Sequence, residues 1–205
     1  MGLTMRRVTA LALSLLLCLS LAAAAAEAPA AETPAAEEEN FFATMQLTYL
    51  DGTPFDTSVF IGKPILINIW ATWCGPCVSE MPHLNELAEE YKDRITIIGV
   101  HSEGLDWSEA GGLQVNQEKT QAALQLKEQA GLTFPLLNPD TNMFILMNDP
   151  QYGLSLQVLP TTWLVGGDGY IRAVIEGSRD KDGWVQTIDD FLNKLEEEEN
   201  AKTGG

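Results

Sequence analysis

Cysteine and histidine are both scarce in this chain. Three cysteines and two histidines occur among 205 residues. Cys18 lies in an apolar run near the N-terminus, which leaves Cys74 and Cys77 as the one pair available to a folded domain. The histidines, His83 and His101, lie on different predicted elements. A structural zinc site needs about four ligands, usually as two closely spaced pairs. The scarcity argues against zinc, and we expect neither a bound metal nor a cofactor.

Positive charge is also scarce. The chain has 12 lysines and arginines against 29 aspartates and glutamates, which gives a net charge of −17. A protein this acidic repels the phosphate backbone of DNA and RNA. Nucleic-acid binding is therefore excluded as a predicted function.

The N-terminus has the composition of an export segment. Arg6 and Arg7 precede an unbroken run of apolar and small residues that ends near residue 26. Ala24 and Ala26 fit a small-x-small cleavage site, which predicts a signal peptide over residues 1–26. The same run is long enough to serve as an uncleaved membrane anchor. Both alternatives predict an extracytoplasmic protein, secreted or anchored on the outer face of the bacterial cytoplasmic membrane. Contact with the membrane is expected only through an uncleaved segment.

Two further segments have little to bury. Residues 27–40 are rich in Ala, Pro and Glu, which predicts a disordered acidic spacer. Residues 197–205 end in a charged, glycine-terminated stretch and are also predicted to be disordered. The folded domain is therefore expected over residues 41–196.

Within that domain the apolar patterns predict alternating strands and helices. The stretches "GKPILINIWA" and "RITIIGVH" are short apolar runs typical of buried strands. Between them, apolar residues at three- and four-residue spacing predict a helix that opens near Cys74. A strand, a helix and a second strand form a parallel unit, with the cysteine pair where the first strand passes into the helix.

The remaining pattern completes the domain. A hairpin is expected at "MQLTYLDGTPF", a helix before Gly131, a strand at "LTFPLL", two antiparallel strands at "TTWLVGGDGYIRAVIEG" and a closing amphipathic helix. Residues 102–116 show no clear period and are predicted to be irregular. Trp107, Trp163 and Trp184 are expected to pack inside.

Three kinds of site compete for Cys74 and Cys77. Zinc lacks the other ligands, and a purely structural disulfide would close a loop too small to constrain the unfolded chain much. A redox pair accounts for the position at a helix start, where free N–H groups and the helix dipole stabilise a thiolate. Cys74 is then the exposed nucleophile, and Cys77 resolves the mixed disulfide.

Specific motifs carry a family resemblance. "WCGPC" after an apolar strand, a proline five residues beyond the second cysteine and "LPTTWLV" before a hairpin together resemble the thioredoxin superfamily. The stretch "DGTPFDTSVFIGKPILINIWATWCGPCVSEMPHL" is similar to its exported TlpA/ResA/DsbE-type branch. The resemblance covers about residues 45–195. It implies an α/β thioredoxin-like fold, with a central mixed sheet flanked by helices and preceded by an N-terminal hairpin.

The resemblance also assigns residue roles. Pro160 matches the family's cis-proline, which faces the cysteine pair, and the backbone of Leu159 would pair with an extended substrate. Trp73 matches the tryptophan beside the active disulfide. The residues expected to bind substrate are Trp73, Gly75, Pro76, Leu159, Pro160 and Thr161.

One departure concerns the catalytic acid. Cytosolic thioredoxins have a buried aspartate where this chain has Asn68, and a neutral amide cannot accept a proton. The exported branch has a glutamate three residues after the second cysteine, which matches Glu80. Residues i and i+3 share a helix face, so Glu80 is expected to assist proton transfer at Cys77. The alternative is a solvated helix carboxylate.

The resemblance implies an extracytoplasmic thiol–disulfide oxidoreductase that exchanges a Cys74/Cys77 dithiol with cysteines of partner proteins. We expect it to act as a reductant, for example in cytochrome c maturation, with a membrane thiol–disulfide reductase as its electron donor. One alternative is a thiol peroxidase of the same fold, although Thr72 precedes Cys74 by two positions rather than three. Another alternative is a non-catalytic binding module of thioredoxin fold.

Overall fold

The central strand of the protein, β2 (Ile65–Trp70), is apolar at five of six positions, and all six side chains are buried. A strand buried on both faces requires cover on each side of its sheet. The computed structural model describes residues 40–109 and 111–204. The predicted signal peptide or anchor and residues 27–39 of the predicted spacer lie outside them.

A mixed six-stranded sheet forms around β2. Its other strands are β1 (Thr48–Tyr49), β3 (Thr96–His101), β6 (Leu136–Asn138), β7 (Thr161–Val165) and β8 (Ile171–Glu176). The strand order is β1-β6-β3-β2-β7-β8. The pairs β2–β3 and β3–β6 are parallel, whereas β2–β7, β7–β8 and β1–β6 are antiparallel.

In the part of the chain that the structure describes, four α-helices accompany the sheet. Their bounds are α1 (Gly75–Glu90), α2 (Gln117–Gln129), α3 (Thr141–Asn148) and α4 (Lys181–Thr203). Polar side chains cap the last three, because Asn116, Asp140 and Asp180 each accept a backbone N–H of the first turn. In α1 the cap is Cys74. No helix in residues 40–109 and 111–204 is both long and apolar enough to cross a membrane.

Strand β2 divides the core in two, because alternate side chains point to opposite faces of the sheet. Leu66 and Trp70 face a cluster that contains both cysteines, Leu84 of α1 and Trp184 of α4. The opposite face packs against α3 and the short helical turns, and its members include Ile65, Ile67, Ile69, Phe60, Met143 and Met147. The active cysteines therefore lie on the face shared by α1 and α4.

The expected parallel unit and N-terminal hairpin are confirmed. Strands β2 and β3 pair in register from Ile65–Thr96 to Trp70–His101, with α1 between them in the chain. At the N-terminal side, Thr48 bridges Pro54 in antiparallel fashion around the turn at Gly52.

The prediction of irregular structure for residues 102–116 is wrong. This segment forms a two-stranded hairpin, β4 (Leu105–Trp107) paired with β5 (Leu113–Val115). Strands of three residues are too short to show a period in the sequence. Trp107, which was expected to pack inside, is 71% exposed on this hairpin, whereas Trp163 and Trp184 are fully buried.

Both predicted domain boundaries move outward. Helix α4 continues to Thr203, so the disorder predicted from residue 197 is wrong as far as that residue. The reason is that the last turns consist largely of good helix formers, and the Thr203 hydroxyl donates to the carbonyl of Glu199. At the other end Asn40 is buried, since its amide donates to the Phe60 carbonyl and its Oδ1 accepts the N–H of Phe42. The predicted spacer therefore ends before residue 40.

Candidate active site

Cys74 and Cys77 form a disulfide at the start of α1, with an Sγ–Sγ distance of 2.00 Å. Cys74 is the N-cap residue, and its Sγ accepts the backbone N–H of Cys77 at 3.2 Å. The same N–H environment would stabilise a thiolate at Cys74 after reduction. In the disulfide form Cys74 is 4% exposed and Cys77 is fully buried. Cys74 is the more accessible residue of the pair, but it is not the exposed residue that was expected, because the joined pair packs into the apolar cluster beneath it.

The residues next to the disulfide form an exposed rim. Trp73 is 65% exposed, and Gly75 and Pro76 are also exposed. A side chain added at Gly75 would meet nothing within 4 Å. The chain around Cys74 is therefore open to a large partner, although Cys74 itself is buried.

The segment before β7 has the expected backbone. The Leu159–Pro160 bond is cis. Leu159 packs against the apolar cluster that contains both cysteines, and Thr161 is buried with its hydroxyl donating to the Val158 carbonyl at 2.8 Å. Within the described residues, no hydrogen bond occupies the backbone N–H or C=O of Leu159. This backbone is available to pair with another strand.

Glu80 lies one helical turn beyond Cys77 and is 1% exposed. Its Oε1 accepts from Asn68 Nδ2 at 2.9 Å, and its Oε2 accepts from the backbone N–H of Arg179 and from Trp184 Nε1, both at 3.1 Å. Burial raises the pKa of Glu80 above its ordinary value, and the three donors oppose that shift. The alternative of a solvated helix carboxylate is therefore wrong.

Asn68 occupies the centre of the sheet where cytosolic thioredoxins have an acid. Its Nδ2 donates both to Glu80 and to Thr162 Oγ1 at 3.0 Å, so the amide joins α1 to β7 through β2. In this chain the acidic group therefore lies on the helix, and the strand supplies a hydrogen-bond donor to it.

Two contributors to this site were missed at the level of sequence. Trp184 was expected only to pack, and Arg179 was not singled out. The guanidinium of Arg179 lies 5.3 Å from the centre of the Trp184 ring. Both residues are about 100 positions from Glu80 in the chain. No spacing or motif marks them, because their contact with Glu80 depends on where α4 packs.

His101 is buried at the C-terminal end of β3, with its ring 5.2 Å from that of Trp70. Burial lowers the pKa of His101 to about 4. The imidazole is therefore neutral at physiological pH. In residues 40–109 and 111–204, no group of three or more His, Cys, Asp and Glu side chains is placed to hold a metal ion.

The sequence motifs imply a disulfide at the first turn of a helix on a mixed sheet and a cis-proline directly before a neighbouring strand, and the structure has both. A model of the Redoxin family matches residues 23–194. The chain belongs to the Redoxin family. Its fold matches that of a thioredoxin-family thiol:disulfide interchange protein from Chlorobium tepidum, with a TM-score of 0.56 at 22% identity over 72% of this chain and 93% of that one.

Two relatives with names that state an activity are similar to this chain over most of its length. Thiol-disulfide oxidoreductase ResA of Geobacillus thermodenitrificans is 31% identical over 144 residues, which are 70% of this chain and 71% of that protein. Thiol:disulfide interchange protein DsbE of Haemophilus influenzae is 31% identical over 140 residues, or 67% and 64%. The chain is a TlpA/ResA/DsbE-like member of the thioredoxin superfamily. It is a thiol–disulfide oxidoreductase with Cys74–Cys77 as its CXXC disulfide, and its substrates are proteins that contain cysteine.

Proposed function

We propose that this protein is an extracytoplasmic reductant of disulfides in partner proteins, with the cysteines of apocytochrome c as an example of its substrates. The export-type segment at residues 1–26 supports the location. The Gly-Pro dipeptide between the cysteines supports the direction of electron flow, because it resembles low-potential thioredoxins at about −270 mV. The single observation that carries the proposal is the Cys74–Cys77 disulfide at a helix N-terminus, one turn from a buried carboxyl group.

The reaction is a two-electron exchange. The Cys74 thiolate attacks one sulfur of the partner disulfide, a mixed disulfide forms, and the other partner sulfur leaves as a thiolate. Cys77 then attacks Cys74 Sγ. This second step closes the Cys74–Cys77 disulfide and releases the reduced partner. A membrane thiol–disulfide reductase restores the dithiol by the reverse sequence.

Cys77 must lose a proton before it can resolve the mixed disulfide. Glu80 is the proposed acceptor, because it lies one turn beyond Cys77 on the same helix and its raised pKa brings it closer to the working pH. A carboxyl group in this position can take up the proton as Cys77 attacks. It can return the proton when the disulfide is reduced again.

The partner docks as a short extended segment on Leu159. The free N–H and C=O of Leu159 offer strand-type hydrogen bonds that do not depend on the partner's side chains, which suits substrates of varied sequence. Trp73, Gly75 and Pro76 form the other side of this proposed site, and Pro160 and Thr161 hold the docking segment in place.

Two cysteine variants test the assignment. Cys77→Ser should accumulate a mixed disulfide between Cys74 and a partner, since the resolving thiol is missing, and Cys74→Ser should form none. Insulin reduction and the potential measured against glutathione complete the test. Rapid turnover of hydrogen peroxide would instead support a thiol peroxidase. A potential near the oxidising value of about −120 mV would reverse the proposed direction.

A further inference from the structure

Trp184 reaches Glu80 from the first turns of α4. The helix begins at Lys181 and is capped by Asp180, whose side chain accepts the N–H of Gly183. This cap fixes the start of the helix, and Trp184 is fully buried beneath it. The indole N–H donates to Glu80 Oε2 at 3.1 Å. A buried tryptophan normally finds an acceptor for this group, and here the acceptor is the candidate catalytic carboxylate.

Arg179 supports the same oxygen in two ways. Its backbone N–H also donates to Oε2 at 3.1 Å, and its guanidinium lies over the Trp184 ring. Asn68 Nδ2 donates to the other oxygen, Oε1. The two carboxylate oxygens therefore have different partners, one from β2 and two from around the start of α4, and this arrangement sets the orientation of the group.

Donors to a buried carboxylate favour its ionised form, whereas burial disfavours it. The state of Glu80 depends on the balance between the two effects. We propose that Trp184, held in place by Arg179, is a positioning residue that orients Glu80 and supports its ionised form for proton transfer at Cys77. This inference rests on the proposed role of Glu80 in the reaction.

Trp163 provides a matched control. It is also fully buried, but it lies on β7, and its Nε1 has no hydrogen-bond partner in the part of the chain that the structure describes. Replacing either tryptophan by phenylalanine removes similar apolar volume from the core. Only Trp184→Phe removes a donor from Glu80.

The first measurement needs no change at Trp184. In the oxidised protein, the ¹H–¹⁵N signal of the Trp184 indole should shift with pH, with the same midpoint as the ¹³C signal of the Glu80 carboxyl group. The Trp163 indole signal should not follow that titration, and Glu80→Gln should abolish the shift at Trp184. If the indole signal of Trp184 does not change as Glu80 ionises, the proposal is overturned.

The second measurement uses the two variants. Trp184→Phe should raise the pKa of Glu80 and move the acidic limb of the exchange-rate profile to higher pH. At a pH on that limb the rate should fall roughly tenfold, the effect of one hydrogen bond to a charged group. Trp163→Phe should change neither quantity.

The outcomes separate this inference from the function on which it rests. Equal shifts of the Glu80 pKa in Trp163→Phe and Trp184→Phe would mean that both variants loosen the core in a general way. That result would refute the positioning role of Trp184. If the Glu80 titration shifts in Trp184→Phe but Glu80→Gln leaves the rate profile unchanged, the contact is established and the catalytic role of Glu80 is wrong.

Discussion

Glutamates of α1 contact the residues around the start of α4 in two regions. In the region near the disulfide, Glu80 is buried and accepts from neutral donors, the Arg179 backbone and the Trp184 indole. In the outer region, Glu86 and Glu90 are exposed, and each lies 2.7 Å from the ammonium group of Lys181. The same residue type, on the same pair of helices, has two opposite environments.

The electrostatic consequences are also opposite. Burial raises the pKa of Glu80, whereas the hydrogen bond and charge of Lys181 lower the pKa of Glu86. An exposed ion pair is screened by water and salt, so it contributes little to stability. A buried carboxyl group with a raised pKa is suited to proton transfer near neutral pH. Glu80 and Glu86 are the same residue type, so the difference between them comes from burial and from the charge of the partner. These two properties distinguish a carboxyl group suited to catalysis from one that only forms a surface ion pair.

The largest expected effect is on activity. Glu80→Gln should slow dithiol exchange by roughly 100-fold at neutral pH, because general acid–base assistance contributes at least this much. Glu86→Gln is the matched control and should retain the wild-type rate within about twofold, since it lies on the exposed side of α1. Insulin reduction measures both rates. Equal rates for the two variants would remove the functional distinction between the two regions.

His101 extends the comparison to a buried group that is positively charged, rather than negatively charged, in its ionised form. Burial lowers the pKa of His101 to about 4 from an ordinary value of 6.5. The unfolded chain binds this proton first as the pH falls, so the contribution of His101 to stability is present above pH 6.5 and is lost between pH 6.5 and 4. NMR titration of the imidazole should give a midpoint near 4. A midpoint near 6.5 would show that burial has little effect at this end of β3.

The two glutamates should also affect stability at different pH values. Glu80 has a raised folded-state pKa, so its contribution is present below pH 4.5 and is lost as the pH rises through the folded value. Glu86 has a lowered pKa, so its contribution is present above pH 4.5 and is lost as the pH falls. Urea unfolding of each Gln variant against wild type, across this range, measures both trends. If the stability contributions of Glu80 and Glu86 change in the same direction with pH, the contrast between the two regions is contradicted.

The smallest expected effect is at Lys181. Lys181→Met removes the ammonium group that joins Glu86 and Glu90 to α4, and its effect on unfolding should be small and should disappear in high salt. The exchange rate should not change. A loss of stability that persists in high salt would mean that the outer region holds the helices together more firmly than an exposed pair can.

Sequence patterns predict most of the fold. The apolar run of β2, the helix that opens after Cys74 and the second strand β3 appear where expected, because each is long enough to show its own period. The cis bond at Pro160 follows from the family resemblance. The hairpin that carries Trp107 and the end of α4 were not predicted, because very short strands and a charged helix end without an apolar period leave weak local signals.

The candidate site could be predicted only in part. Cys74, Cys77 and Glu80 lie within one short motif, so their mutual placement follows from helix geometry. The burial of Glu80 does not, because it depends on Trp184 and Arg179, which are distant in the chain and belong to no motif. Tertiary packing thus supplies the environment that changes an ordinary helix glutamate into a candidate proton acceptor.

The central claim, that Glu80 takes the proton of Cys77, is tested most directly by separating the two chemical steps. Reduced protein is mixed rapidly with a disulfide-containing peptide, and the formation and decay of the Cys74 mixed disulfide are followed by acid quenching and mass spectrometry. In Glu80→Gln we predict that formation keeps the wild-type rate, whereas decay slows by roughly 100-fold. Decay at the wild-type rate, or slowing of the formation step alone, would contradict the account.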